Sequence, residues 1–235
     1  MGWWSAAADL LLGAGCPGCG TAWWGACPTC RAHVLGQPTR LTAPTPAPAG
    51  FPLTATAGAY DEVHRGLLTA HKEDQALMLT GLLGDRLAAA VEELLAAQEV
   101  PETEPVVVVP VPSAARAVRE RGFDATGALA KRAARGLRRR RPVRTATLLA
   151  QQRGLADQSG LDSGQRAANL AGGLRLRRGP SSTLVRPDGP ALVVVDDLVT
   201  TGASLTEAVR CLDTAGYEVL GAATVSATVR RLSGY

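Results

Sequence analysis

The stretch Ala191-Leu-Val-Val-Val-Asp-Asp-Leu-Val-Thr-Thr-Gly-Ala-Ser-Leu205 decides how the rest of the chain is read. Its first five residues, three of them valine, predict a strand buried on both faces. Two acids follow, Asp196 and Asp197, where a parallel strand presents its carboxyl end to ligands. Adjacent carboxylates suit two neighbouring hydroxyls, such as those at 2′ and 3′ of a ribose. Thr200, Thr201 and Ser204 set hydroxyls around Gly202, whose missing side chain lets a ligand approach the backbone. A helix predicted over Ser204–Ala215, with Gly216 as its C-cap, would aim free N–H groups and its positive dipole end into this turn, which suits a monophosphate. A plainer reading needs no ligand: a buried strand, a turn rich in Asp and Thr, and a capped helix.

Working outward, Val106–Val109 lies between prolines and predicts a second buried strand. Leu79, Leu82, Leu83, Leu87, Val91, Leu94 and Leu95 recur at helical spacing and predict a helix within 75–98. A further helix is expected over 113–137, a strand near Val143–Leu149, a Gly/Gln/Ser-rich loop over 151–164 and a last strand over 218–229. Strands alternating with helices predict an α/β domain with a mostly parallel sheet. Residues 1–36 are rich in Gly, Cys and Trp and read as a separate module. Residues 37–52, with Pro38, Pro44, Pro46, Pro48 and Pro52, read as a semi-rigid linker to a domain at 53–235.

The chain has 235 residues, 46% of them hydrophobic and 20% charged, enough for one sizeable core and against a largely disordered chain. A net charge of +4 biases it mildly towards anionic partners. No apolar run approaches the roughly 20 residues of a membrane span, so no membrane insertion is expected. The short Leu10–Leu12 run has no basic region before it, so a signal peptide is not expected and the cytoplasm is the expected compartment.

That compartment is reducing, and four of the five cysteines then fit a metal site. Cys16-Pro-Gly-Cys19 and Cys27-Pro-Thr-Cys30 are two C-x₂-C knuckles that could together surround one Zn²⁺ with four thiolates, a closed structural centre. Two disulfides are the alternative. Trp23 and Trp24, between the knuckles, could pack the module or stack on bases. Cys211 fits a small buried helix residue.

The string from the apolar strand through the two acids to Thr-Thr-Gly resembles the phosphoribosyl-pyrophosphate motif of type I phosphoribosyltransferases. Val109-Pro-Val-Pro112, Arg121-Gly-Phe123, Gln158-Ser-Gly-Leu161, Arg166 with Asn169, and the cysteine knuckles further resemble the competence-protein ComF branch of that superfamily. Asp124 and Ala125 depart from that branch's pattern. His71-Lys72 stands where the family tends to carry a lysine. The resemblance implies a type I phosphoribosyltransferase-like fold with a small N-terminal zinc ribbon. It also implies that Asp196, Asp197, Leu198, Val199, Thr200, Thr201, Gly202, Ala203 and Ser204 bind 5-phosphoribosyl-1-pyrophosphate. Val111, Pro112, Ser113 and Arg121 would face the pyrophosphate together with Mg²⁺. A mobile loop over 151–169, with Arg153 and Arg166, would close over the site.

Lys131, Arg132, Arg135, Arg138, Arg139, Arg140, Arg141 and Arg144 form a run without an acid, which could follow a nucleic-acid backbone or be a solvated helix end. The family's association with DNA uptake implies single-stranded DNA and a helicase as partners. Three functions stay open at this stage: a phosphoribosyltransferase of unknown acceptor, a non-catalytic sensor of its ligand, and a single-stranded-DNA-binding factor.

Overall fold

The computed structural model describes residues 15–152, 172–177 and 185–228. Among these residues the order is α1 (Pro28–Gly36), β1 (Arg40–Thr42), β2 (Thr54–Thr56), α2 (Glu62–Lys72), α3 (Leu79–Ala97), β3 (Val106–Pro110), α4 (Ala115–Arg121) and α5 (Ala125–Leu137). There follow β4 (Val143–Thr145), β5 (Leu149–Gln151), β6 (Leu174–Leu176), β7 (Ala191–Val199), α6 (Ala203–Thr214) and β8 (Val219–Ala227). A six-stranded sheet runs β1-β2-β8-β7-β3-β4, antiparallel only at β1–β2, and β5 and β6 form a separate antiparallel pair. The chain is therefore α/β with a mostly parallel central sheet, as the strand–helix alternation predicts.

The valine run of β3 builds two core layers at once, because alternate side chains point to opposite faces. Val106 and Val108 pack with Leu82, Leu83 and Leu87 of α3 and Leu129 of α5. Val107 and Val109 pack on the other face with Leu205, Ala208 and Leu212 of α6 and with Leu148 and Leu174. Burial on both faces is why β3 and β7 read as unbroken apolar runs.

Four expectations need correction. The helix expected over 113–137 is two helices, because Gly122 turns left-handed at φ 74° and ends α4, and Asp124 caps α5 through Oδ1, 3.1 Å from the Gly127 N–H. The strand expected over Val143–Leu149 is divided: β4 pairs with β3, and β5 leaves the main sheet to pair with β6. β7 runs through both acids to Val199, since β8 continues beside it, with Asp196 opposite Thr224 and Val199 opposite Ala227. The proline-rich segment is part of the α/β body. Arg40–Thr42 forms the sheet edge, and the buried Arg86 of α3 donates to the carbonyls of Gln37 and Ala57 on either side of it.

Candidate functional site

β3 and β7 lie side by side and parallel, so their carboxyl ends open at the same edge of the sheet. A cleft of about 460 Å³ sits there. Its floor is Asp196, Asp197 and Leu198 of β7, and one wall is the turn after β7 with Thr200 and Ser204. The opposite wall is Val111, Pro112 and Ser113 after β3, with Arg121 of α4 and Thr126 of α5. Lys72 and Glu73, at the end of α2, complete it. Segments far apart in the chain thus meet around one space of the size small-molecule sites have.

The turn holds the features a phosphate site needs. Gly202 takes φ 79° immediately before α6, and Thr200 and Ser204 face the cleft at that helix start. Thr206 Oγ1 donates to the Gly202 carbonyl at 3.1 Å and steadies the turn. Below it the acids form an unequal pair. Asp196 Oδ1 accepts from the Asp197 N–H at 2.8 Å. Burial first, then the charge of Asp197, pushes the Asp196 carboxyl well above the usual carboxylate range. Asp197 has a cation instead, since Lys72 Nζ lies 3.0 Å from its Oδ2. Burial pulls the lysine down, but the Asp197 carboxylate outweighs it and holds Lys72 above its ordinary pKa. Arg121 is buried, donates from one terminal nitrogen to Glu73 Oε1 at 3.0 Å, and keeps its Nε without a partner. Next to Lys72, His71 is buried, bonds Thr80 Oγ1 at 3.0 Å, and is held below its ordinary pKa by burial.

Of the residues singled out in the sequence, Asp196, Asp197, Leu198, Thr200, Ser204, Val111, Pro112, Ser113 and Arg121 line this cleft. Val199 does not; its side chain is in the core beneath the turn. Thr201 and Gly202 form the turn and Ala203 opens α6, none of them lining the cleft. Arg153 and Arg166 lie outside the described residues. Gln151, the first residue of the loop expected over 151–169, also lines the cleft; sequence reasoning missed Glu73 and Thr126, which carry no local motif. Lys72 was noted only through a family resemblance.

The two cysteine knuckles close on each other. The four sulfurs lie within 4.8 Å of one another, and Cys19 and Cys27 are 3.6 Å apart, too far for a disulfide. The Cys27 N–H donates to Cys16 Sγ at 3.3 Å, and Cys27 Sγ accepts from the Cys30 N–H as the cap of α1. Hydrogen bonding from Thr21 draws the exposed Cys19 thiol down to about 6, whereas burial first pushes the Cys30 thiol up. A tetrahedral zinc with bonds of about 2.3 Å sets sulfurs roughly 3.8 Å apart, so this donor set fits one. The cluster is consistent with a small zinc-ribbon module whose second knuckle opens a helix.

A second cluster, His33, Asp61 and His64, also places three donor atoms within 4.8 Å. His33 Nε2 and His64 Nδ1 lie 2.5 Å and 2.9 Å from the Asp61 carboxylate. Burial opposes its ionisation, but the His64 N–H and both imidazoles outweigh burial and bring Asp61 down to about 2. A cation on His64 Nδ1 would force its proton onto Nε2, which is buried with no acceptor. The trio is better satisfied as a hydrogen-bonded clamp joining α1 to the start of α2.

The arginine run lies at the other edge of the sheet, where the strands begin. Arg138–Arg141 and Arg144 line a separate cleft of about 650 Å³ with Pro105, Pro142 and Pro190. Arg138 Nε donates to the Val143 carbonyl at 2.9 Å and Arg140 pairs with Glu92 at 2.9 Å, so part of the run is occupied in holding the fold. Among the described residues no helix is long and apolar enough to cross a membrane. No protein-family model matches this chain, and no curated protein matches it.

Proposed function

We propose that this chain is a phosphoribosyltransferase-like protein that binds 5-phosphoribosyl-1-pyrophosphate in the cleft at the carboxyl ends of β3 and β7. The observation that carries the reading is the meeting of two separate segments, Val111–Arg121 and Asp196–Ser204, around one cleft of about 460 Å³. In this reading Asp196 and Asp197 accept from the ribose hydroxyls. The α6 start, with Thr200 and Ser204, takes the 5′-phosphate. Arg121 and the backbone of Val111–Ser113 face the diphosphate on C1. Transfer then means that an acceptor's lone pair forms a bond to C1 while the C1–O bond breaks and the diphosphate leaves with its electron pair. The protein's share is to position the sugar, stabilise charge and exclude water. Mg²⁺ brought in by the diphosphate would neutralise part of its charge. The cysteine cluster is read as a structural Zn²⁺ site, and the arginine-lined cleft takes no part in the reading.

Calorimetric titration of phosphoribosyl pyrophosphate with Mg²⁺ tests it. Micromolar binding by the wild type, abolished in Asp196→Ala/Asp197→Ala, is expected. A folded wild type that binds nothing would overturn the proposal.

A further inference from the structure

We infer that Lys72 is the residue by which the cleft distinguishes a ribose carrying a diphosphate on C1 from one carrying only a 5′-phosphate; the inference rests on the sugar-phosphate reading above. Two neighbouring residues at the end of α2 reach into the cleft towards partners of opposite sign. Lys72 Nζ is 3.0 Å from Asp197 Oδ2, and Glu73 Oε1 is 3.0 Å from an Arg121 nitrogen. Both cations line the cleft, and neither has all its donors occupied within these pairs. One of the three Lys72 protons points at Asp197, and the buried Arg121 Nε has no partner.

The geometry then separates the two ends of the ligand. A ribose held through its 2′ and 3′ hydroxyls by the acids has C1 as the next ring atom beside C2. With the 2′ hydroxyl on Asp197 and the 3′ hydroxyl on Asp196, a substituent on C1 comes close to the Lys72–Asp197 pair. The 5′-phosphate lies across the ring, at the turn with Thr200 and Ser204. A diphosphate on C1 brings anionic oxygens to the ammonium group while Lys72 keeps Asp197. A sugar without it offers Lys72 nothing new. The same lysine thus adds to the affinity of one ligand and is silent towards the other.

The test is calorimetry of phosphoribosyl pyrophosphate with Mg²⁺ and of ribose 5-phosphate, on wild type, Lys72→Met and Lys72→Arg, with melting temperatures to establish folding. Lys72→Met should weaken the diphosphate ligand roughly 10- to 100-fold, the worth of one charge-assisted hydrogen bond. It should leave ribose 5-phosphate within about 3-fold, and Lys72→Arg should keep most of the discrimination, since it keeps the charge. Equal loss for both ligands in Lys72→Met would show that the lysine merely holds Asp197 in place, and would overturn the inference. So would no loss for either. A wild type that binds ribose 5-phosphate but gains nothing from the diphosphate would overturn it and spare the sugar-phosphate site. A folded wild type that binds neither would overturn the parent reading and this inference with it.

Discussion

Gly202→Ala tests the shape of the turn between β7 and α6, and its effect has two separable parts. Gly202 sits at φ 79°, a left-handed conformation that costs an L-residue about 1–2 kcal/mol. An added Cβ would also stand 2.5 Å and 2.7 Å from two ring carbons of Phe51 and 3.1 Å from Pro44 Cγ. Carbon atoms rest at about 3.5–4.0 Å, so the ring must retreat by roughly 1 Å. Overpacking of that kind costs about 1–3 kcal/mol. Together the two parts amount to about 2–5 kcal/mol, or a melting temperature lower by about 4–20 °C in a chain of this size. Urea unfolding followed by circular dichroism would measure it, on Gly202→Ala, Phe51→Ala and the double variant. Phe51→Ala removes the overlap but not the backbone strain. The double variant should therefore be more stable than the sum of the singles predicts, by about the overpacking part, 1–3 kcal/mol. Strictly additive variants, or a neutral Gly202→Ala, would refute the contact between the proline-rich segment and the turn.

Asp196 predicts a pH dependence of known sign. Burial and the charge of Asp197 raise its carboxyl above the ordinary range in the folded state. Between the ordinary carboxylate pKa of about 3.9 and the raised value, the unfolded chain binds fewer protons than the folded one, so stability falls as pH rises through that window. Asp196→Asn lifts this penalty, and its melting temperature should gain on the wild type progressively from about pH 4 upward; an advantage independent of pH would contradict the assignment. For the cysteine cluster, elemental analysis should find one zinc per chain, with chelation or Cys16→Ser lowering the melting temperature. Metal-free wild type indifferent to chelator would dismiss the zinc reading.

Much of this architecture was legible because period and burial agree. Val106–Val109 and Ala191–Val195 are strands buried on both faces, and an unbroken β-branched run between turn residues has few other uses. The spacing of leucines in α3 is equally plain. The helix α2 was not seen, although Asp61 caps it, because His64 and His71 occupy buried positions that a hydropathy pattern counts as polar. Short runs misled in another way. Val143–Leu149 is apolar enough for a strand, but periodicity does not name a strand's partner, and this segment serves two sheets. Asp124 serves locally as the cap of α5. The turn between β7 and α6 could be located from its own residues, because its parts are contiguous. Its opposite wall was reached only through a resemblance, and the Lys72–Asp197 pair joins positions 125 residues apart, which local sequence does not reveal.

The helix α2 ties together two features that are remote from each other along the chain. Its eleven residues span about 16 Å. Val63, near its start, packs against the cysteine cluster, and Lys72, its last residue, meets Asp197. Between them Gly66 lies so close to the Pro17 carbonyl that even a methyl group has no room. Module and helix are thus keyed together without play, as a bracket is to a beam. The sulfur cluster and the floor of the cleft therefore share one helix, seated at Gly66 with no room for a side chain.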